Sequence, residues 1–244
     1  MRRDLYEEMF DQESYYWWHV GKRGLVKVLL KKYTNREKKE LKILDVGCGT
    51  GMIMKELSVS GEVWGLDNDP LALNFCRKRG FKNLNKGDLL QKLPYSDKSF
   101  NTILCLDVLE HLKNDRFPLK EFYRVLRPGG VLVITVPAYP RLMGRWDKVS
   151  GHERRYLGRD LESLLRQAGF RVEKISYFNL FALLPAILVR FFKSNSRVKS
   201  YPSDFVKLPD WLNQMLIFLT NVEKSVINQT NLPAGLSIIC LGRK

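Results

Sequence analysis

The chain has 244 residues, 45% hydrophobic and 27% charged, enough for one large domain or two small ones with a substantial core. The opening Met-Arg-Arg-Asp-Leu-Tyr-Glu-Glu lacks an apolar export signal, and no apolar run reaches the roughly 18–20 residues that cross a bilayer. The formal charge of +15 includes nine Lys/Arg between Lys22 and Lys42 against only Glu37 and Glu40, a surface for nucleic acid, anionic lipid or a phosphorylated substrate, or simply a solvated face.

Residues 1–40 precede the first expected strand. Glu13 to Tyr33 reads as a helix with Trp17, Trp18, Leu25, Val28 and Leu29 as apolar positions, entered through the aromatic run Tyr15-Tyr16-Trp17-Trp18-His19. Leu41 to Val46 then reads as a buried strand that runs into Gly47-Cys48-Gly49-Thr50-Gly51, and Met52 to Leu57 as a helix opening. Glycines at such a turn let backbone approach a ligand, and the following helix presents unpaired N–H groups to a negative group. The spacing is one residue tighter than the dinucleotide fingerprint, and the Gly-Lys-Ser/Thr of a phosphate loop is missing. Glu62 to Asp67 is a second strand ending in an acid, and Asp69-Pro70 opens a helix. Asp67 stands 20 residues beyond Gly47, where doubly wound folds place the carboxylate that binds ribose hydroxyls, with Asn68 beside it.

A short third strand lies within Asn83 to Leu90, a fourth spans Phe100 to Leu106, and Phe117 to Leu126 is an amphipathic helix stopped by Arg127-Pro128-Gly129-Gly130. Val131 to Pro137 is a fifth, very apolar strand, followed by a loop from Ala138 to Leu157. A helix over 158–169, a strand over 170–178 and a last strand from Leu236 to Leu241 complete the pattern. Alternating strands and helices imply a parallel sheet with ligands at the strands' C-terminal ends. More than 50 residues separate the last two strands, including the apolar stretch Leu180 to Phe192 with Lys193, Arg197 and Lys199 behind it. That insertion reads as a helical cap over the active site, with Trp211, Leu212, Leu216 and Phe218. Its segment 180–199 also suits peripheral contact with a membrane. The four cysteines form no C-x-x-C pair and have no His at ligand spacing, so a reduced, cytoplasmic protein without a metal is expected.

Asp45-Val46-Gly47-Cys48-Gly49-Thr50-Gly51 resembles motif I of the class I S-adenosylmethionine-dependent methyltransferases, and the run from Asp107-Val-Leu-Glu110-His111 to Pro137 resembles their later motifs. The resemblance implies an α/β, Rossmann-like, seven-stranded sheet of order 3-2-1-4-5-7-6 with strand 7 antiparallel. It implies one domain over 1–244: a lid over 1–40, a core over 41–179 and 236–244, and a cap over 180–235. The cofactor it implies is S-adenosyl-L-methionine, leaving as S-adenosyl-L-homocysteine. Asp45, Gly47, Cys48, Gly49 and Gly51 would hold the methionine half, with Asp45 on the ammonium, and Asp67 and Asn68 would hold the ribose. Gly87, Asp88 and Leu89 would meet the adenine, Leu106 and His111 would line the same pocket, and Trp18 and Arg23 would close it from the lid. The segment from Tyr16 to Arg23 and Gly151-His152-x-Arg154-Arg155-Tyr156 resemble a bacterial and archaeal subgroup, some members of which belong to glycan or lipid pathways.

A hydroxyl acceptor calls for a base, which makes His111 and His152 the catalytic candidates. Tyr139, Trp146, His152, Arg154, Arg155 and Tyr156 in the loop after strand 5 are the expected substrate contacts, suited to an anionic acceptor or else anchoring the loop. The reading is methyl transfer to a small-molecule or lipid- or sugar-linked acceptor, at oxygen. An RNA methyltransferase that uses the basic surface and a non-catalytic cofactor-binding scaffold are the alternatives.

Overall fold

A computed structural model describes residues 3–34, 41–193 and 208–244. The strands are β1 (Leu41–Val46), β2 (Gly61–Asp67), β3 (Leu84–Lys86), β4 (Phe100–Leu106), β5 (Leu126–Pro137), β6 (Arg171–Phe178) and β7 (Ser237–Arg243). They form one sheet of order β3-β2-β1-β4-β5-β7-β6 in which only β7 runs antiparallel to its neighbours, as the sequence pattern predicts. The helices are α1 (Arg3–Gln12), α2 (Trp17–Tyr33), α3 (Met52–Leu57), α4 (Pro70–Lys78), α5 (Arg116–Val125), α6 (Arg145–Ser150), α7 (Gly158–Gln167), α8 (Leu183–Lys193) and α9 (Asp210–Gln229).

Alternation along the central strands divides the core in two. Leu44, Val46, Ile103, Cys105, Leu132 and Ile134 face Leu119 and Phe122 of α5 and Leu161 and Leu165 of α7. Ile43, Leu104, Val133 and Ile239 face the other way, onto Leu25, Val26 and Leu29 of α2, Met54 of α3 and Ile227 of α9. Strand order reverses between β1 and β4, where Val46 pairs with Cys105. The loops after these two strands therefore leave the sheet side by side, in the crevice where doubly wound sheets bind ligands.

Four expectations change. The helix expected over Glu13–Tyr33 begins at Trp17, because the amides of Tyr15 and Tyr16 close α1 onto Gln12 O and the Asn213 side chain of α9 accepts from Trp17 N (2.9 Å). Strand β5 begins at Leu126 rather than Val131. Lys244 draws the Pro-Gly-Gly turn into the sheet, accepting from Gly129 N and donating to Gly130 O, each at 3.0 Å. The loop expected over Ala138–Leu157 contains a 3-10 turn over Pro140–Leu142 and α6.

The fourth change concerns the insertion. Helix α9 packs on α2. A Cβ on Gly21 would lie 2.7 Å from Thr220 Cγ2, so the glycine allows the two helices to approach. Glu223 accepts from the amides of Asn179 (2.8 Å) and Leu180 (2.7 Å), tying α9 to the end of β6. Leu212 and Leu216 are half-buried, whereas Trp211 and Phe218, placed in the cap by the sequence reading, are 69% and 64% exposed. Lys193 has no described side chain, and Arg197 and Lys199 lie outside the described residues, as does the rest of segment 180–199 beyond 193.

Candidate active site

The glycine loop after β1 is shaped by positive φ at Gly47 (66°) and Gly49 (53°), backbone that L side chains rarely adopt. A Cβ on Gly47 would lie 2.4 Å from Val108 Cγ2, so the loops after β1 and β4 are in direct contact. Asp67 at the end of β2 accepts from Gly49 N through Oδ2 and from Asp69 N through Oδ1, both at 3.0 Å. Each oxygen keeps a second lone pair for a further donor. Burial pushes the Asp67 carboxyl up, against those two backbone bonds. Asp69, not Asn68, caps α4, accepting from Leu71 N (2.9 Å), and Asn68 is exposed.

Asp45 is buried at the end of β1, and its Oδ2 has no hydrogen-bond partner. Burial, with the Asp67 charge added, pushes its carboxyl up to about 8, while Lys22 pulls the other way. Lys22 Nζ reaches Asp107 Oδ2. Cys48 is buried with its Sγ 3.7 Å from Cys76 Sγ, so the fold brings together two cysteines far apart in sequence.

Helix α1, which the sequence did not reveal, lies over this loop. A Cβ on Gly49 would be 3.3 Å from Met9 Cε, and burial followed by the charges of Asp67 and Asp69 raises the Tyr6 hydroxyl pKa. The turn after α1 is fastened to the loop itself. Thr50 Oγ1 donates to Glu13 Oε2 (2.6 Å), and Arg79 donates to the other Glu13 oxygen and to Thr50 O (2.8 Å). Arg23, expected at the cofactor, is buried, and its Nε donates to Glu56 on α3 (2.7 Å). Trp18 is half-buried, edge-on to Trp17 at 5.4 Å. Of the expected adenine contacts, Leu89 is buried, Gly87 sits against Leu66, and exposed Asp88 caps a turn by accepting from Leu90 N (2.9 Å). Leu106 is half-buried at the end of β4.

On the acceptor side, Asp107 leaves β4 at φ 55°, held by Thr135 Oγ1 (2.7 Å) and Lys22. Glu110 and His111 follow in a 3-10 turn. The ring of His152 meets that of His111 edge-on, with centroids 4.7 Å apart. His111 Nδ1 is 3.2 Å from Gly151 O, and His152 Nδ1 is 2.9 Å from Asp147 Oδ1. Desolvation pushes the His111 imidazole down, and His152 adds to that.

Arg154, Arg155 and Tyr156 each bond within the protein. Arg155 Nε donates to Asp147 Oδ1 (2.7 Å), and its Nη1 to Ala138 O (3.1 Å). Arg154 donates to Asp115 Oδ2 (3.0 Å) and Lys113 O (2.7 Å). The buried Tyr156 hydroxyl donates to that same Asp115 oxygen (3.1 Å). Burial alone would raise the Asp147 carboxyl, but bonds from His152 and Arg155 hold it well below the ordinary range. Arg154, Arg155 and Tyr156 thus anchor the loop around His152. Tyr139, at φ 60°, stacks on Tyr177 at 5.3 Å. Trp146 lies in α6, and its side chain is outside the described part.

A family profile described as a methyltransferase domain matches residues 44–134. A demethylmenaquinone methyltransferase of Tropheryma whipplei (strain Twist) is 39% identical over 106 residues, covering 41% of this chain and 43% of that protein. A ubiquinone biosynthesis O-methyltransferase of Rickettsia felis is 28% identical over 144 residues, covering 52% of this chain and 59% of that protein. The match thus spans about half the length of these relatives. The solved structure of a SAM-dependent methyltransferase from Archaeoglobus fulgidus shares the fold, with a TM-score of 0.59 and 22% identity over 91% of this chain and 94% of that one.

Proposed function

We propose, from a central segment that is a class I S-adenosylmethionine-dependent methyltransferase domain, that the chain transfers a methyl group from that cofactor to a hydroxyl oxygen of a small or lipid-linked acceptor. The observation that carries this reading is the contact between Gly47 and Val108, which brings the glycine loop against the loop that continues into His111 and, through the ring contact, meets His152.

The residues fit the cofactor. The unpartnered Oδ2 of Asp45 suits an ammonium, and Asp67 keeps acceptor capacity for a diol. When bound, the cofactor supplies an electrophilic methyl group on a sulfonium. The protein's part is to hold the acceptor in line, keep water out and provide for the hydroxyl proton. His111 is exposed at the surface, and desolvation with the nearby His152 pushes its imidazole down, which favours the form with a lone pair for that proton.

Two observations support an acceptor carried by a lipid. The matched relatives are named for menaquinone and ubiquinone. Helix α9 exposes Trp211, Met215, Phe218, Val222 and Val226, spaced three or four apart, an apolar row suited to a membrane surface. No helix among the described residues is long and apolar enough to cross one.

The test is formation of S-adenosylhomocysteine from S-adenosylmethionine with hydroxylated quinone precursors. Turnover that His152→Ala reduces at least tenfold, with cofactor affinity intact, supports the assignment. Turnover unchanged by the substitution removes His152 from the reaction.

A further inference from the structure

Glu110, His111 and His152 converge beside the acceptor loop, each offering one ligand atom. Ligand atoms from the three residues lie within 4.8 Å of one another. The hydrogen bonds behind the two rings decide what they offer in front. His111 Nδ1 faces Gly151 O at 3.2 Å, and a carbonyl only accepts, so that nitrogen carries the proton. His152 Nδ1 faces Asp147 Oδ1 at 2.9 Å, and that carboxylate also receives Arg155 and Gly144 N, so it too is ionised and only accepts. With Nδ1 donating to its support, each ring has only Nε2 left to offer a ligand. A carboxylate and a backbone carbonyl behind imidazoles are the usual outer supports of metal-ligating histidines, fixing tautomer and orientation.

The third group points the same way. Glu110 is 1% exposed, and its Oε2 has no hydrogen-bond partner. A buried carboxylate oxygen without a donor is costly, and neither histidine offers it a proton from Nε2. We propose that Glu110, His111 and His152 form a divalent transition-metal site of the zinc class, open on the acceptor side. Two imidazoles and one carboxylate favour such an ion over magnesium or calcium, which prefer oxygen donors throughout. At about 2.1 Å from the metal, tetrahedral ligand atoms sit about 3.4 Å apart, so the three must close by at most about 1.4 Å, within reach of side-chain rotation. This departs from the sequence reading, which expected no metal and gave the histidines to base catalysis. With an ion bound, the His111 lone pair is engaged by the metal, and the hydroxyl proton passes to water instead of to His111.

The role of the ion, unlike its binding, rests on the proposed O-methyl transfer. An acceptor hydroxyl in the open position loses its proton to water at a lower pH than it does free. Its oxygen lone pair then forms the C–O bond as the methyl–sulfur pair returns to sulfur, so each turnover releases one proton.

The test is titration of EDTA-treated protein with Co2+, read by visible absorption, and with Zn2+, read by calorimetry. One ion per chain is expected, with ligand-field bands of a nitrogen- and oxygen-bound Co2+. His152→Ala and Glu110→Gln should each weaken binding at least 100-fold, and Asp147→Asn about 10–100-fold through the orientation of His152. Unchanged melting and S-adenosylmethionine affinity in Glu110→Gln show that the fold survives. Absence of Co2+ binding at about 1 mM, or equal binding by wild type and His152→Ala, overturns the site. Metal binding without binding of S-adenosylmethionine leaves the site standing and refutes the methyltransferase reading instead. Stripped protein that methylates a hydroxyl acceptor at the full rate overturns the role of the ion.

Discussion

Replacing Gly47 by alanine probes the junction on which the site depends. Two penalties add at this position. A left-handed backbone (φ 66°) costs a residue with a Cβ about 1–2 kcal/mol. A methyl group placed 2.4 Å from Val108 Cγ2 and 3.1 Å from its Cγ1 overpacks the contact, which costs about 1–3 kcal/mol. The total, about 2–5 kcal/mol, appears as lost stability if the loop holds its shape. If the loop moves instead, it appears as lost cofactor affinity, at least about 30-fold. Urea denaturation and calorimetric titration with S-adenosylmethionine, run on the same samples, capture both routes. Adding Val108→Ala removes the two nearest atoms and should recover the overpacking share, a favourable coupling of about 1–3 kcal/mol in the double-mutant cycle. A Gly47→Ala protein with wild-type stability and affinity would refute the contact between the two loops.

Asp45 makes a pH prediction. Its carboxyl is raised from 3.8 to about 8, so its contribution to stability is full below the lower value and is lost as pH rises through the upper one. At pH 7 the free protein holds that proton, and an ammonium beside Asp45 expels it. Calorimetry in buffers of different ionisation enthalpy should show proton release on cofactor binding that Asp45→Asn abolishes; equal release by the variant would remove Asp45 from the ammonium. Asp67→Ala should lower cofactor affinity at least 100-fold, and unchanged binding would sink its ribose role. Gly21→Ala should lower the melting temperature through the clash with Thr220, despite a helix-propensity gain of about 1 kcal/mol. Adding Thr220→Ala should restore it, and a Gly21→Ala protein that melts higher would contradict the close α2–α9 approach. Trp211→Ser with Phe218→Ser should reduce sedimentation with anionic phospholipid vesicles without lowering the melting temperature, since both side chains are mostly exposed. Equal sedimentation would remove α9 from any membrane contact.

The sheet was legible because its evidence is local. Apolar runs such as Phe100–Leu106 and Val131–Pro137 are buried on both faces, and glycines and acids mark where they end. Strand order followed from the resemblance rather than from any single strand. What stayed hidden depends on partners distant in sequence. Helix α1 has few apolar residues, and its place over the glycine loop rests on Tyr6, Met9 and Glu13 meeting residues beyond position 45. Helix α9 turns Asn213, Thr220 and Glu223 inward and leaves Trp211 outside, the reverse of a hydrophobicity-based guess, because those polar groups satisfy backbone amides and fit against Gly21. The sequence shows the charge of the loop arginines but not the carboxylates of Asp115 and Asp147 that engage it. His111 and His152 were singled out separately, but their pairing, and the buried Glu110 beside them, needed the fold.

The central claim is that the crevice between β1 and β4 holds S-adenosylmethionine. Calorimetric titration with S-adenosylmethionine and S-adenosylhomocysteine, with NAD as control, tests it most directly. One site per chain for each of the first two, and no heat with NAD, is the predicted result. Binding of NAD, or no binding of either sulfur ligand by folded protein, would contradict it.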